Sequence, residues 1–327
     1  PAIKQRRAAR SLAGNGFLPV ARSRSSAGAR WPSGPLVTLR CARRAVEADA
    51  AVRSTGPLRA GVRVYILAVR LAVETRGAGR PIVCLPWFSL DRSVMAAALE
   101  PAVADLAGWQ RIYVDPPGCG QSPPGPADSD GVVEVLADFL DREIGSTRPL
   151  LAGCSYGGYL AAALARRHPQ RIAGLLLVCH GTKIRVEDRD LPPGVAEAGA
   201  WLNGVPAGLR EHLSMAVGNR RPEIAQRIAS VLSAARQGDN DYLQRLRTTG
   251  YQLSDEASPA TFTGHTLIIA GRDDRIAGYA DQFRSLASYP KATFAAIGGA
   301  GHYLPFEYPN IFASLVREWL HQCSTSI

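Results

Sequence analysis

A serine, a histidine and a pair of aspartates stand in settings suited to covalent catalysis. Ser155 lies in Gly153-Cys154-Ser155-Tyr156-Gly157, a G-x-S-x-G pattern between an apolar run and a helix-forming run. A turn that lifts a serine hydroxyl off the end of a strand forces a strained backbone and tight packing two residues before and two after it. Glycine supplies that room on both sides, and Gly158 adds more. Cys154 is the rival nucleophile, but its neighbours at the same offsets are Ala152 and Tyr156, and tyrosine is too large. A serine hydroxyl needs a base to become nucleophilic. His302, in the glycine-rich loop Gly298-Gly-Ala-Gly-His302-Tyr303, can swing over the end of a sheet. His180, which follows an apolar run, is the alternative, whereas His168, His212, His265 and His321 read as solvated or structural. The base in turn needs an orienting acid. Both Asp273 and Asp274, in Gly271-Arg-Asp-Asp274 after the run TLIIA, are candidates. The reaction such residues support is nucleophilic attack on a carbonyl, with the histidine relaying the proton.

These side chains require a scaffold of alternating strands and helices. Short apolar runs predict strands in 62–74, at 82–85, 111–114, 150–154 and 172–179, and again at 266–270 and 292–297. Helical patterns fall at 93–106, 132–144, 157–167, 279–287 and 311–321. The alternation predicts an α/β fold, a mostly parallel, doubly wound sheet with helices on both faces. It stops over 184–262, where only helical patterns occur, at 195–202, 207–217, 222–236 and 241–248. An insertion of that size in a sheet protein is expected to be a lid over the site. The expected organisation is an extension at 1–60, a core at 61–183 and 263–327, and the lid at 184–262.

From about residue 62 onward the chain resembles the α/β-hydrolase fold superfamily, in its serine-nucleophile branch. The resemblance rests on GCSYGG, GRDD, GAGHYLPFEYP, the loop DPPGCGQS and the helix–strand LARRHPQRIAGLLLVC. It implies a catalytic triad of Ser155, Asp274 and His302, in that chain order. The family places the acid three residues after the turn glycine, which selects Asp274 over Asp273. The family usually has His-Gly after its third strand, where this chain has Pro86-Trp87-Phe88. Backbone amides do the binding there, so Phe88 N–H and Tyr156 N–H are the expected oxyanion donors, with Trp87 the alternative to Phe88. Pro86 has no N–H to offer. Cys119, where the family commonly carries histidine, reads as structural.

The formal charge is +10, but residues 1–60 hold twelve bases and two acids, while 61–327 hold 26 of each. The expected core is therefore neutral, which argues against nucleic-acid binding by the fold. The first 60 residues lack any sustained apolar period and are expected to be a disordered basic extension; a targeting tail is the alternative. The six cysteines form no C-x-x-C pair, and three lie in or beside apolar runs, so they read as buried thiols in a reducing, cytoplasmic setting. No apolar stretch reaches the 18 residues of a membrane span. No H-x-x-x-H pair or dinucleotide loop is present, and neither metal nor cofactor is expected.

The expected function is hydrolysis of an ester-like bond of a small organic substrate through an acyl-enzyme. An acyltransferase or lyase on the same fold, or a non-catalytic ligand-binding homologue, are the rival readings. Water must be limited around an acyl-enzyme, so the expected acyl pocket is largely apolar, with Trp201 from the lid facing Trp87 and Phe88. Leu202, Leu209, Met215 and Val217 are further candidates for its lining, though most of them are expected to pack the lid's own helices.

Overall fold

The computed structural model describes residues 69–194 and 199–324. The basic extension at 1–60, the run 61–68 and residues 195–198 lie outside the described residues. In chain order the elements are β1 (Val73–Arg76), β2 (Arg80–Leu85), α1 (Arg92–Val103), β3 (Trp109–Val114), α2 (Ser129–Phe139), β4 (Leu150–Cys154), α3 (Tyr156–Arg167) and β5 (Gly174–Val178). Then come α4 (Ala207–Ala216), α5 (Pro222–Ala234), α6 (Asn240–Thr249), β6 (His265–Gly271), α7 (Tyr279–Arg284), β7 (Ala292–Ile297), α8 (Leu304–Glu307) and α9 (Pro309–Ser324).

The strands form one seven-stranded sheet in the order β1-β3-β2-β4-β5-β6-β7. All neighbours run parallel except β1, which pairs antiparallel with β3 at one edge. β4 and β5, at the centre, carry no charged or polar side chain other than the Cys154 thiol, because both faces of the sheet are covered. Residue parity divides them. Ile82, Cys84, Leu150, Ala152, Leu176, Val178, Leu267 and Ile269 enter one core with α1 and α9. Val83, Leu85, Leu151, Leu175, Leu177 and Ile268 enter the other with α2 and α3.

Local signals set the helix starts. Asp91, Asp128 and Asp239 accept hydrogen bonds from the amides of Ser93, Gly131 and Tyr242, capping α1, α2 and α6. Pro222 opens α5, where its missing N–H costs nothing. Three details depart from the sequence expectation. The helix expected over 132–144 is regular only to Phe139, after which Leu140–Ile144 widens into a π turn ended by Gly145 at φ 66°. The strand character expected over 62–74 is carried, in the described residues, only by Val73–Arg76. Of the helix expected at 195–202, the described residues 199–202 carry one 3₁₀ turn, Ala200–Leu202.

The chain lays β3 on one side of β2 and β4 on the other, so the sheet order reverses between β2 and β4. The loops leaving the carboxyl ends of these two strands diverge and open a crevice, where open α/β sheets place their ligands. Trp87 and Phe88 follow β2, and Ser155 follows β4. The helices α4, α5 and α6 all fall between β5 and β6.

Candidate active site

Ser155 occupies the one-residue turn between β4 and α3, with φ 53° and ψ −118°. A β-carbon in that region of backbone space is strained, so the surroundings must hold it. Ser155 N–H donates to Val178 O at 3.0 Å, and its own carbonyl accepts Tyr159 N–H at 3.0 Å and Gly181 N–H at 3.2 Å. The flanking glycines are required by contact. A β-carbon on Gly153 would stand 2.4 Å from Gly157 O, and one on Gly157 would stand 2.4 Å from the carbonyl oxygens of Leu85 and Pro86.

His302 meets Ser155 from the loop after β7. Its Nε2 lies 2.9 Å from Ser155 Oγ, and its Nδ1 lies 2.9 Å from Asp274 Oδ2. With the Nδ1 proton donated to the carboxylate, the Nε2 lone pair faces the serine hydroxyl. Asp274 is fully buried, and its Oδ1 accepts the amides of Ile276 and Ala277 at 2.9 and 3.0 Å. Burial pushes its carboxyl up, but the His302 imidazole and these hydrogen bonds together hold it below the ordinary aspartate value. His302 is bonded by Asp274 and not by Asp273, whose N–H donates to Ala300 O at 2.8 Å and whose side chain is half-buried.

The alternatives separate from this cluster. Cys154 is fully buried in β4, and burial raises its thiol well above the ordinary range, so no thiolate is available. His180 is 1% exposed and lines a different cavity, with Tyr159, Arg166 and Glu256. Burial pushes its imidazole down to about 4, despite an opposing hydrogen bond with Gln282. Cys119 is buried in the loop after β3.

Ser155 and His302 open into a cavity of about 190 Å³. Trp87, Phe88 and Tyr156 line it, as does Met215. Trp87 Nε1–H donates to His302 O at 3.3 Å, and Phe88 stands edge-on to Tyr156 and Tyr251 at 5.4 and 5.1 Å. Tyr156 is the first residue of α3, so its N–H has no acceptor within the helix. Phe88 sits within a turn closed by Leu90 N–H on Trp87 O at 3.2 Å.

Two sequence expectations need correction here. Trp201 is not among the residues lining the cavity. It belongs to the 3₁₀ turn Ala200–Leu202 and packs against the α1/α9-side core. Leu202 and Val217 are buried in that core as well, with Leu209 packed against it. The cavity is also not largely apolar. It is lined by Arg189, Arg247 and Arg275, and among the described residues that line it none is acidic. The Arg189 guanidinium is committed to the carbonyls of Lys183, Ile184 and Ile276. Arg247 lies over the rings of Phe88 and Tyr251, 5.3 and 5.6 Å from their centroids. Arg275 has a buried Nε without a hydrogen-bond partner.

The sequence places His212 among the solvated or structural histidines, yet it lines the cavity and its Nε2 lies 2.8 Å from Tyr303 Oη. No sequence signal distinguished it, since a histidine on an amphipathic helix is ordinarily solvated. Tyr303 could have been found from its place directly after His302. Among the described residues, no group of three or more His, Cys, Asp or Glu side chains is arranged to hold a metal ion. No helix there is long and apolar enough to cross a membrane.

Comparison with known proteins bears on the family and the fold. The profile of the alpha/beta hydrolase fold matches residues 85–309. A 2-hydroxy-6-oxononadienedioate/2-hydroxy-6-oxononatrienedioate hydrolase of Cupriavidus pinatubonensis is 29% identical over 246 residues, covering 72% of this chain and 81% of the relative. A pimeloyl-[acyl-carrier protein] methyl ester esterase of a Shewanella species is 25% identical over 178 residues, 54% of this chain and 60% of the relative. Among solved structures, an alpha/beta superfamily hydrolase of Oenococcus oeni superposes with TM-score 0.68 at 24% identity, covering 80% of this chain and all of that one. Est816, described as an N-acyl homoserine lactone degrading enzyme, superposes with TM-score 0.59 at 26% identity, covering 76% and 96%.

Proposed function

The chain belongs to the α/β-hydrolase fold family and is a hydrolase, and from that premise we propose that it cleaves an ester-like bond of a small organic acid through an acyl-enzyme on Ser155. The observation that carries this reading is the continuous chain of contacts from Ser155 Oγ through His302 to buried Asp274, each 2.9 Å long. Ser155 Oγ attacks the substrate carbonyl while His302 Nε2 takes the hydroxyl proton. Asp274 keeps the Nδ1 proton in place and stabilises the imidazolium. The amides of Phe88 and Tyr156 hold the tetrahedral oxyanion. His302 returns the proton to the departing oxygen, and a water then repeats the sequence to release the acid and free Ser155. The helical segment 184–262 acts as a lid, since Ile184, Val186, His212, Met215, Arg247 and Tyr251 wall the cavity from its side.

The acid in the substrate is argued from charge. A cavity with three guanidinium groups and, among the described residues, no lining carboxylate favours an anionic ligand over a neutral one. The same observation favours a second reading, cleavage of a carbon–carbon bond next to a ketone. The Cupriavidus relative is named for a dioate substrate, and the same triad can serve such a bond.

A fluorophosphonate probe tests the reading. It should label the wild type and Cys154→Ala stoichiometrically and leave Ser155→Ala unlabelled. Ser155→Ala should lose on the order of 10⁶ in kcat on a p-nitrophenyl ester, as triad removals do. Turnover by Ser155→Ala within about tenfold of wild type would remove the serine from the mechanism.

A further inference from the structure

Glu307, the last residue of α8, is only 2% exposed, and the chemistry described so far makes no use of it. Its Oε2 accepts the amide N–H of Gly218 at 2.9 Å, of Asn219 at 2.8 Å and of Gly301 at 3.0 Å, and its Oε1 lies 3.1 Å from Gly301 N. Each of these bonds is donated by the main chain. Gly218 and Asn219 form the connection between α4 and α5, while Gly301 immediately precedes His302. The two strips of chain also meet directly. His302 N–H donates to Ala216 O at 2.6 Å, and Asn219 Nδ2 donates to Glu307 O at 3.3 Å. The fit leaves no room, because a β-carbon on Gly301 would stand 2.3 Å from Ala216 O.

Burying a carboxylate is costly, and an apolar side chain would fill the same space more cheaply. What a carboxylate adds is a pair of acceptor oxygens that can hold several amides from two separate segments at once. One of those segments presents the base, and the other continues from α4, whose His212 and Met215 wall the cavity. We infer that Glu307 is a positioning residue for His302: it ties the loop carrying the base to the α4–α5 connection, so that Nε2 keeps its reach to Ser155 only while that connection is seated. The inference rests on His302 being the base. It makes the reach of the base depend on how the cavity wall is packed.

The test uses the full chain and a p-nitrophenyl ester, with Glu307→Gln and Glu307→Asp. Glutamine keeps the size and one acceptor but turns an NH₂ toward amides that also donate. Glu307→Gln should keep its near-UV circular dichroism and lose on the order of 10- to 100-fold in kcat, the scale of a small misplacement of a catalytic group. Its KM should stay within about threefold, since nothing that touches substrate has changed. The fluorophosphonate labelling rate should fall with kcat, and Glu307→Asp, which keeps the carboxyl group, should recover part of both. A kcat for Glu307→Gln within about twofold of wild type would overturn the inference. So would an aspartate variant no better than glutamine, because the carboxylate would then be only filling space. If Glu307→Gln does not fold, Glu307→Asp decides alone: a lowered kcat at constant KM supports the positioning role, and wild-type kcat overturns it. His302→Ala separates the two levels. Should it retain wild-type kcat, the triad reading itself fails; should it be inactive while Glu307→Gln is fully active, only the positioning role is lost.

Discussion

His212 on α4 presents its Nε2 to the hydroxyl of Tyr303 at 2.8 Å, so a side chain from between β5 and β6 is bonded to the residue that follows His302. Burial first, and then the proximity of His302 and Arg247, pushes the His212 imidazole down to about 4. The pair is therefore an uncharged, hydrogen-bonding wall at neutral pH. His212→Phe keeps a ring in place and removes the bond. It should raise KM for p-nitrophenyl esters by up to about tenfold, the value of one neutral hydrogen bond, with a smaller change in kcat. Tyr303→Phe should do the same. In the double variant the effects should not add, because each single change already breaks the shared bond. Additive losses would show that the two side chains act separately.

The adjacent aspartates give a sharper contrast. Asp274→Asn should lower kcat by roughly 10⁴ by removing control of the His302 tautomer. Asp273→Asn, which leaves the Asp274–His302 bond in place, should stay within about 0.5 kcal/mol of wild type in stability, as surface changes do, with little effect on rate. The reverse ranking in steady-state kinetics would reassign the acid.

Charge on the acyl group can be tested at constant length. The p-nitrophenyl half-ester of glutaric acid ends in a carboxylate, whereas the pentanoate of the same length does not. The charged ester should have the higher kcat/KM, by about 10- to 100-fold at low salt if a guanidinium bonds it directly. Arg275→Gln, which replaces the guanidinium whose Nε lacks a partner, should reduce that preference, as should added salt if the carboxylate stays partly solvated. Equal specificity constants for the two esters would leave the arginines without a role in substrate choice.

Glu307 also predicts a pH-dependent stability. Burial raises its carboxyl from 4.5 to about 7, against the pull of the amides of Asn219, Gly301 and Gly218 and with some help from Asp274. The folded protein therefore holds a proton that the unfolded chain has released, so this group's contribution to stability declines as pH rises from about 4.5 to about 7. Urea melts at pH 5 and pH 8 should show wild type losing on the order of 2–3 kcal/mol relative to Glu307→Gln. A difference independent of pH would mean that the carboxyl titrates at its ordinary value.

The legible parts of this molecule share one property. Leu150–Cys154 and Ala292–Ile297 coincide with their expected ranges, and the strain at Ser155 could be read from glycines two residues away on either side. These signals are local: an unbroken apolar run must be buried on both faces, and a tight turn must have small neighbours. Choosing Asp274 over Asp273 already needed the resemblance to a family, because two adjacent acids on one loop are equivalent until their side chains have directions.

The amino-acid sequence by itself thus determined the order of strands and helices, the serine on its turn and the histidine in its glycine loop. Short-range backbone sterics and burial leave few alternatives there. Only the tertiary structure decided what surrounds them. Trp201 on the 3₁₀ turn Ala200–Leu202 and Met215 near the end of α4 are similar in apolar character, but Trp201 packs against the α1/α9-side core while Met215 lines the cavity. Arg247 and Arg275 resemble solvated charges until chain segments distant in sequence close around Ser155. Glu307 resembles a surface acid until the α4–α5 connection brings two amides to its carboxylate. Such contacts depend on the mutual placement of distant elements, which no local pattern of residues encodes.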